Sequence, residues 1–202
     1  MPSRPARDRA LRLVKARGLV SAREITAHGI HTQALSRLVN EGKLERAARG
    51  LYRAPDHDLT QNHGLAIAAA AVPRGVVCLL SALLFHDVGS QLPHEVWLAL
   101  DRRARRPALG WPPLRVVRFS GAALTSGVEV HRIEGRNVRV FCVAKTVADC
   151  FKYRNKVGLE AALEALRDAW RHKKFTMDEI DRYARICRVS RVMRPYLEAL
   201  VA

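Results

Sequence analysis

The stretch SAREITAHGIHTQALSRLVNEGKLERAARGLYR, residues 21–53, decides how the N-terminal part of the chain is read. It opens on Ser21-Ala22-Arg23-Glu24. A serine followed three residues later by a glutamate satisfies two orphan helix amides reciprocally, as a capping box. That spacing predicts a short helix through about Ala27, ended by His28-Gly29, and a further helix from Thr32 to Glu41. Leu35, Leu38 and Val39 recur three and four residues apart and must face a core. Gln33, Ser36, Arg37 and Asn40 recur at the same spacing on the other side, with Thr32 at the helix start. All can hydrogen-bond base edges or phosphates. Arg presents a donor pair that suits guanine, and Gln and Asn present a donor and an acceptor that suit adenine. Next, Leu44-Glu45-Arg46 and Leu51-Tyr52-Arg53 read as two short strands joined by Ala47-Ala48-Arg49-Gly50. Such a hairpin is a wing, and it places Arg46, Arg49 and Arg53, with Lys43 nearby, against phosphates.

Working outward, residues 6–17 put Ala10, Leu11, Val14 and Leu13 toward one face, and Gly18 stops them. A helix, a short helix, a Gly-containing turn and a polar-faced helix make a winged helix-turn-helix. Any three-helix bundle has one polar face, so the charge distribution must help decide. The chain has 202 residues and a formal charge of +16. Residues 1–55 hold 12 basic and 4 acidic side chains, and residues 56–202 hold 23 and 15. Half the excess therefore sits in about a quarter of the chain, which points to an anionic partner. Genome bias is the bland alternative, because Arg and Ala are abundant throughout. A second basic patch, Arg102 to Arg118, contains Arg102, Arg103, Arg105, Arg106, Arg115 and Arg118 and no acid. It reads either as a solvated loop or as a surface for an acidic partner or DNA.

Pro55 to Asn62 is polar and reads as a linker, here bounded as residues 56–62. Beyond it, residues 63–72 and 76–86 read as helices, and Trp97–Leu100 and Leu114–Phe119 as strands. Val128-Glu129-Val130 and Val138-Arg139-Val140 read as a hairpin turning at residues 134–137. Helices follow at 144–153, 157–172, 177–187 and 190–201, with Thr176 and Glu179 as a second capping box. The expected fold class is α+β: a winged helix-turn-helix over 1–55, then a mixed α/β domain over 63–202 with a small sheet and a C-terminal helical bundle.

No run reaches the roughly 18 apolar residues of a membrane span, and Leu65 to Val72 is the longest. The basic N-terminus lacks the apolar core of a secretory signal. Cys78, Cys142, Cys150 and Cys187 are dispersed and read as reduced thiols of a cytoplasmic protein. The motifs of a nucleophile elbow and of a phosphate loop are absent. Asp56 and Asp58 sit two apart, as in a nucleotidyltransferase carboxylate pair, but in the linker and before Gly89-Ser90 rather than after it. The eight histidines, among them His57, His86 and His94, form no H-E-x-x-H pattern, so no metal or other cofactor is implied and no catalytic residue is assigned. Lys145, Asp149 and Lys152 share a helical face and read as an ion-pair ladder holding a helix to the sheet. Ser81 and His86, five apart, read as polar groups satisfied locally on a buried helix.

Several stretches together resemble the AbiEi antitoxin family. They are Gly29 to Ala54, Cys78-Leu79-Leu80-Ser81-Ala82-Leu83 with His86, Ala144 through Lys156, and residues 185–197. The resemblance implies a non-enzymatic bacterial repressor that is also the antitoxin of a type IV toxin–antitoxin, or abortive infection, system. Such proteins bind repeated sites in double-stranded DNA of their own promoter and counteract a nucleotidyltransferase-like toxin, with or without touching it. The C-terminal part is implicated in neutralisation. The family has a small polar residue where His31 stands, so Thr32 is expected to cap the helix here. Two other readings compete: a regulator with no antitoxin role, and an enzyme targeted to nucleic acid by its winged helix.

Overall fold

Ser21 and Glu24 form the capping box that their spacing requires: the Glu24 amide donates to Ser21 Oγ, and the Ser21 amide donates to Glu24 Oε2 at 2.8 Å. The fold around this pair is that of a computed structural model describing residues 4–56 and 58–201. The class is α+β, and the chain separates into two compact units. The first runs through Arg74 and includes Pro107–Leu114 and His131–Val138. The second takes Gly75–Arg106, Arg115–Val130 and the chain from Arg139 onward.

The first unit is built from α1 (Arg4–Arg17), β1 (Val20–Ser21), α2 (Ala22–Ala27), α3 (Gln33–Asn40), β2 (Glu45–Ala48), β3 (Leu51–Arg53) and α4 (His63–Ala71). Ala10 and Val14 of α1, Ile25 of α2, and Ala34, Leu35 and Leu38 of α3 meet in one core with Ile30, Leu44 and Tyr52. Fully burying each of the larger aliphatics is worth about 1.5–3 kcal/mol, so the core fixes which face of α3 turns outward. The sheet is antiparallel with order β1-β3-β2. Its first strand was not legible in the sequence, because Val20 and Ser21 pair with Tyr52 and Leu51, some thirty residues away.

The hairpin differs from expectation. Ala47 and Ala48 belong to β2, with a bulge between Arg46 and Ala48, so the turn is only Arg49-Gly50. Gly50 supplies the positive φ of +74° that so tight a connection needs. The first unit runs on past the polar run at 56–62 to Arg74. Thr60 donates through its amide and hydroxyl to Glu134 Oε1, at 2.9 and 3.0 Å. His63 Nδ1 lies 2.6 Å from Glu134 Oε2, and α4 packs on β3. Thr60 and His63 are thus bonded to a turn about seventy residues on. His57 lies outside the described residues.

The second unit is organised by a sheet of order β6-β5-β4-β8-β7. Its strands are β4 (Val76–Val77), β5 (Val96–Asp101), β6 (Leu114–Phe119), β7 (Val128–Ile133) and β8 (Arg136–Phe141); residues 131–138 of the last hairpin group with the first unit. The expected helix at 76–86 is shorter: Val76 and Val77 pair antiparallel with β5, Val77 also pairs parallel with Val140, and the helix α5 is Leu79–Phe85. The other helices are α6 (Ala122–Thr125), α7 (Val143–Lys152), α8 (Arg154–Val157), α9 (Leu159–Arg171), α10 (Met177–Cys187) and α11 (Ser190–Val201). Every residue from Ala144 to Phe151 is buried, which makes α7 the centre of this unit, against α5, α9 and α10. The second capping box, Thr176 with Glu179, forms at α10. Among the described residues no helix is long and apolar enough to cross a membrane.

Candidate nucleic-acid interface

The inward stripe of α3 leaves a defined outward one. At about 100° per residue, Gln33, Ser36, Arg37 and Asn40 fall within an arc of about 100°, opposite Leu35 and Leu38. Gln33, Ser36 and Asn40 are exposed and Arg37 is half-buried. The helix start differs from expectation. Thr32 has helical dihedrals, φ −59° and ψ −23°, and its side chain makes no capping bond. His31 takes that role, its Nδ1 accepting from the Gln33 amide at 3.2 Å. Its imidazole does the work of the small polar residue whose absence had pointed to Thr32, and Thr32 remains exposed beside Gln33.

The chain reverses tightly after Asn40, with the Lys43 and Leu44 amides both donating to Leu38 O, so β2 begins within five residues of the helix. Three of the four carboxylates in residues 1–55 are neutralised locally. Glu41 binds Arg7 and Lys43, and the hydrogen bond from Lys43 leads in holding its carboxyl below the usual range. Glu45 binds Arg53, and Glu24 binds Arg136. Of the expected phosphate contacts, Lys43 and Arg53 are therefore already paired, and Arg46 lies 5.8 Å from the Tyr52 ring centre. Arg49 at the turn and Arg37 on α3 have no ion-pair partner among the described residues. The same holds for exposed Arg23 in the first turn of α2, a cation the sequence reading passed over because it sits inside the capping box.

Arg136 also went unnoticed. Its guanidinium grips both oxygens of Glu24, at 2.6 and 2.5 Å. Burial alone raises the Glu24 carboxyl, but the hydrogen bonds from Arg136 and Ser21 outweigh it and bring the group to about 2. The approach is closed beside it: a Cβ on Gly135 would lie 1.8 Å from the Arg17 carbonyl oxygen. The β7–β8 turn thus braces the start of α2, and through it the turn leading to α3.

Elsewhere the polar groups singled out in the sequence serve the scaffold. The Trp97 amide donates to Ser81 Oγ at 2.9 Å, and His86 Nε2 lies 2.8 Å from Phe141 O. The expected ladder on α7 divides: Lys145 and Asp149 form a fully buried pair, whereas Lys152 is exposed. Lys145 Nζ sits 4.1 and 5.1 Å from the ring centres of Phe141 and Phe119, so it does tie the helix to strand residues. Asp56 pairs with Lys15 at 3.2 Å and Asp58 is exposed. Among the described residues no three His, Cys, Asp or Glu side chains converge as a metal site. Cys78, Cys150 and Cys187 are buried free thiols, pushed upward mainly by burial; Cys142 is half-buried and also free.

Residues 8–55, from α1 through the β2–β3 hairpin, match the family model described as "Transcriptional regulator, AbiEi antitoxin". No curated protein matches the sequence.

Proposed function

We propose that the first unit is a winged helix-turn-helix that binds double-stranded DNA, with α3 as its recognition helix and the β2–β3 hairpin as its wing. One observation carries the reading: a helix exposes Gln33, Ser36, Asn40 and the unpaired cation Arg37 on one face, and a basic hairpin follows at once. The AbiEi match over the same residues supports it. Thr32, Gln33, Ser36, Arg37 and Asn40 read bases. Arg46 and Arg49 meet phosphates, and Lys43 and Arg53 exchange Glu41 and Glu45 for phosphate oxygens on binding. Arg23 adds a phosphate contact from α2, as the first helix of such a motif crosses the backbone.

The protein is, in this reading, a non-enzymatic repressor of its own operon and the antitoxin of a type IV system, acting against a nucleotidyltransferase-like toxin. The second unit, with its sheet and its C-terminal bundle from α7 to α11, carries the antitoxin role. The test titrates purified protein against a labelled duplex from its own upstream region, with random competitor at several salt concentrations. Tight, salt-sensitive binding that prefers the upstream sequence is expected. Equal affinity for random DNA refutes the recognition-helix assignment. Rescue of growth from a neighbouring toxin gene then tests the antitoxin role, and a regulator without that role shows repression and no rescue.

A further inference from the structure

A cavity of about 580 Å³ opens in the second unit where the end of α7, the start of α6 and the end of α10 meet β6. That volume falls within the range of small-molecule sites. Four cations line it, from three parts of the sequence: Arg102, Arg118, Lys152 and Arg188. Arg102, Lys152 and Arg188 are exposed and have no ion-pair partner among the described residues. Arg118 is fixed in place, donating to the carbonyls of Asp101 and Ala104 at 2.9 and 2.8 Å. The single carboxylate in the lining, Asp149, does not answer this charge. It is 1% exposed, one oxygen binds Lys145 Nζ and the other accepts from Cys187 Sγ at 3.2 Å. Like charges gathered round one concavity repel unless an anion joins them. The rest of the lining brings Phe119, Tyr153 and Ile186 together with Ser120 and small residues. A cavity lined by both cations and aromatic rings suits a phosphorylated molecule with a flat apolar body.

We propose that this cavity binds a free nucleotide, its phosphates held by Arg102, Lys152 and Arg188 and its base against Tyr153 and Ile186. No residue of this cavity is among those proposed to bind DNA.

The test is calorimetric titration of the full chain with ADP, at a salt concentration high enough to screen diffuse attraction. Saturable one-to-one binding is expected, with adenosine and inorganic phosphate each binding more weakly. Arg102→Glu and Arg188→Glu alter exposed side chains, so folding is retained, which unchanged thermal melts would verify. Each should weaken ADP by about tenfold or more, the effect of losing one charge-assisted hydrogen bond. Arg49→Ala, on the hairpin turn of the first unit, should leave ADP affinity unchanged. Absence of saturable ADP binding overturns the proposal, as does equal binding by the parent and both charge reversals. A single-stranded oligonucleotide that binds through Arg102 and Arg188 where ADP does not also overturns it, in favour of a nucleic-acid surface.

Discussion

Replacing Arg136 with alanine should loosen the start of α2, far from it in sequence. The Arg136 side chain is 16% exposed and the Glu24 side chain 31%, so the pair is half-sheltered. Lowering the Glu24 carboxyl from 4.5 to about 2 corresponds to about 3 kcal/mol at most. Part of that belongs to the Ser21 cap, and solvent screens the rest, which leaves about 1–2 kcal/mol for Arg136. The sign follows from the depressed carboxyl. Stability gained from an ionised Glu24 is fully present above pH 4.5 and is lost as pH falls toward 2. The cost of Arg136→Ala should therefore be full at pH 7 and less than half as large, roughly, at pH 2. Hydrogen exchange of the amides in residues 22–30 reads this locally. At pH 7 the variant should exchange about 5- to 30-fold faster than the parent. An unchanged exchange rate would refute the bracing role. So would a loss of equal size at both pH values, which would mean that packing and not the ion pair is responsible.

Other consequences are local to single residues. Lys145→Met strands Asp149 as an unpaired buried charge and should cost about 3–5 kcal/mol in urea unfolding, whereas Lys145→Met with Asp149→Leu should recover most of it. Gly135→Ala combines a φ of +76° with a clash against the Arg17 carbonyl, and should lower stability by about 2 kcal/mol or more. Gly158→Ala, at φ +89° in open space, should cost only about 1 kcal/mol; equal thermal shifts for the two would contradict the close approach. Arg49→Ala should weaken binding to all DNA sequences alike and reduce the salt slope by about 1, measured by titration across salt concentrations.

What the sequence revealed was local. Both capping boxes, the core stripe of Leu35 and Leu38, and the hairpin behind α3 depend on residues a few positions apart, and each formed. What stayed hidden depended on distant partners. Val76 and Val77 read as helix because nothing nearby marks a two-residue strand; β5 and β8 make it one. The polar segment after Pro55 read as a linker because its partner, Glu134, lies on a remote turn. Arg136 reaches Glu24 across 112 positions, and no spacing rule spans that. Helical spacing placed Lys145, Asp149 and Lys152 together, but depth separated them. The first two are fully buried, while Lys152 is exposed at the cavity with Arg102 and Arg188. The position of His31 was legible and its role was not: the cap became assignable once Thr32 proved to be helical.

The most direct test of the DNA-binding account compares Arg37→Ala with the parent on the upstream duplex and on random DNA at one salt concentration. The account predicts a loss of about 1–3 kcal/mol on the upstream sequence and a much smaller loss on random DNA, so that sequence preference relaxes. Unchanged affinity for the upstream sequence, or an equal loss on both, would contradict the claim that α3 reads bases.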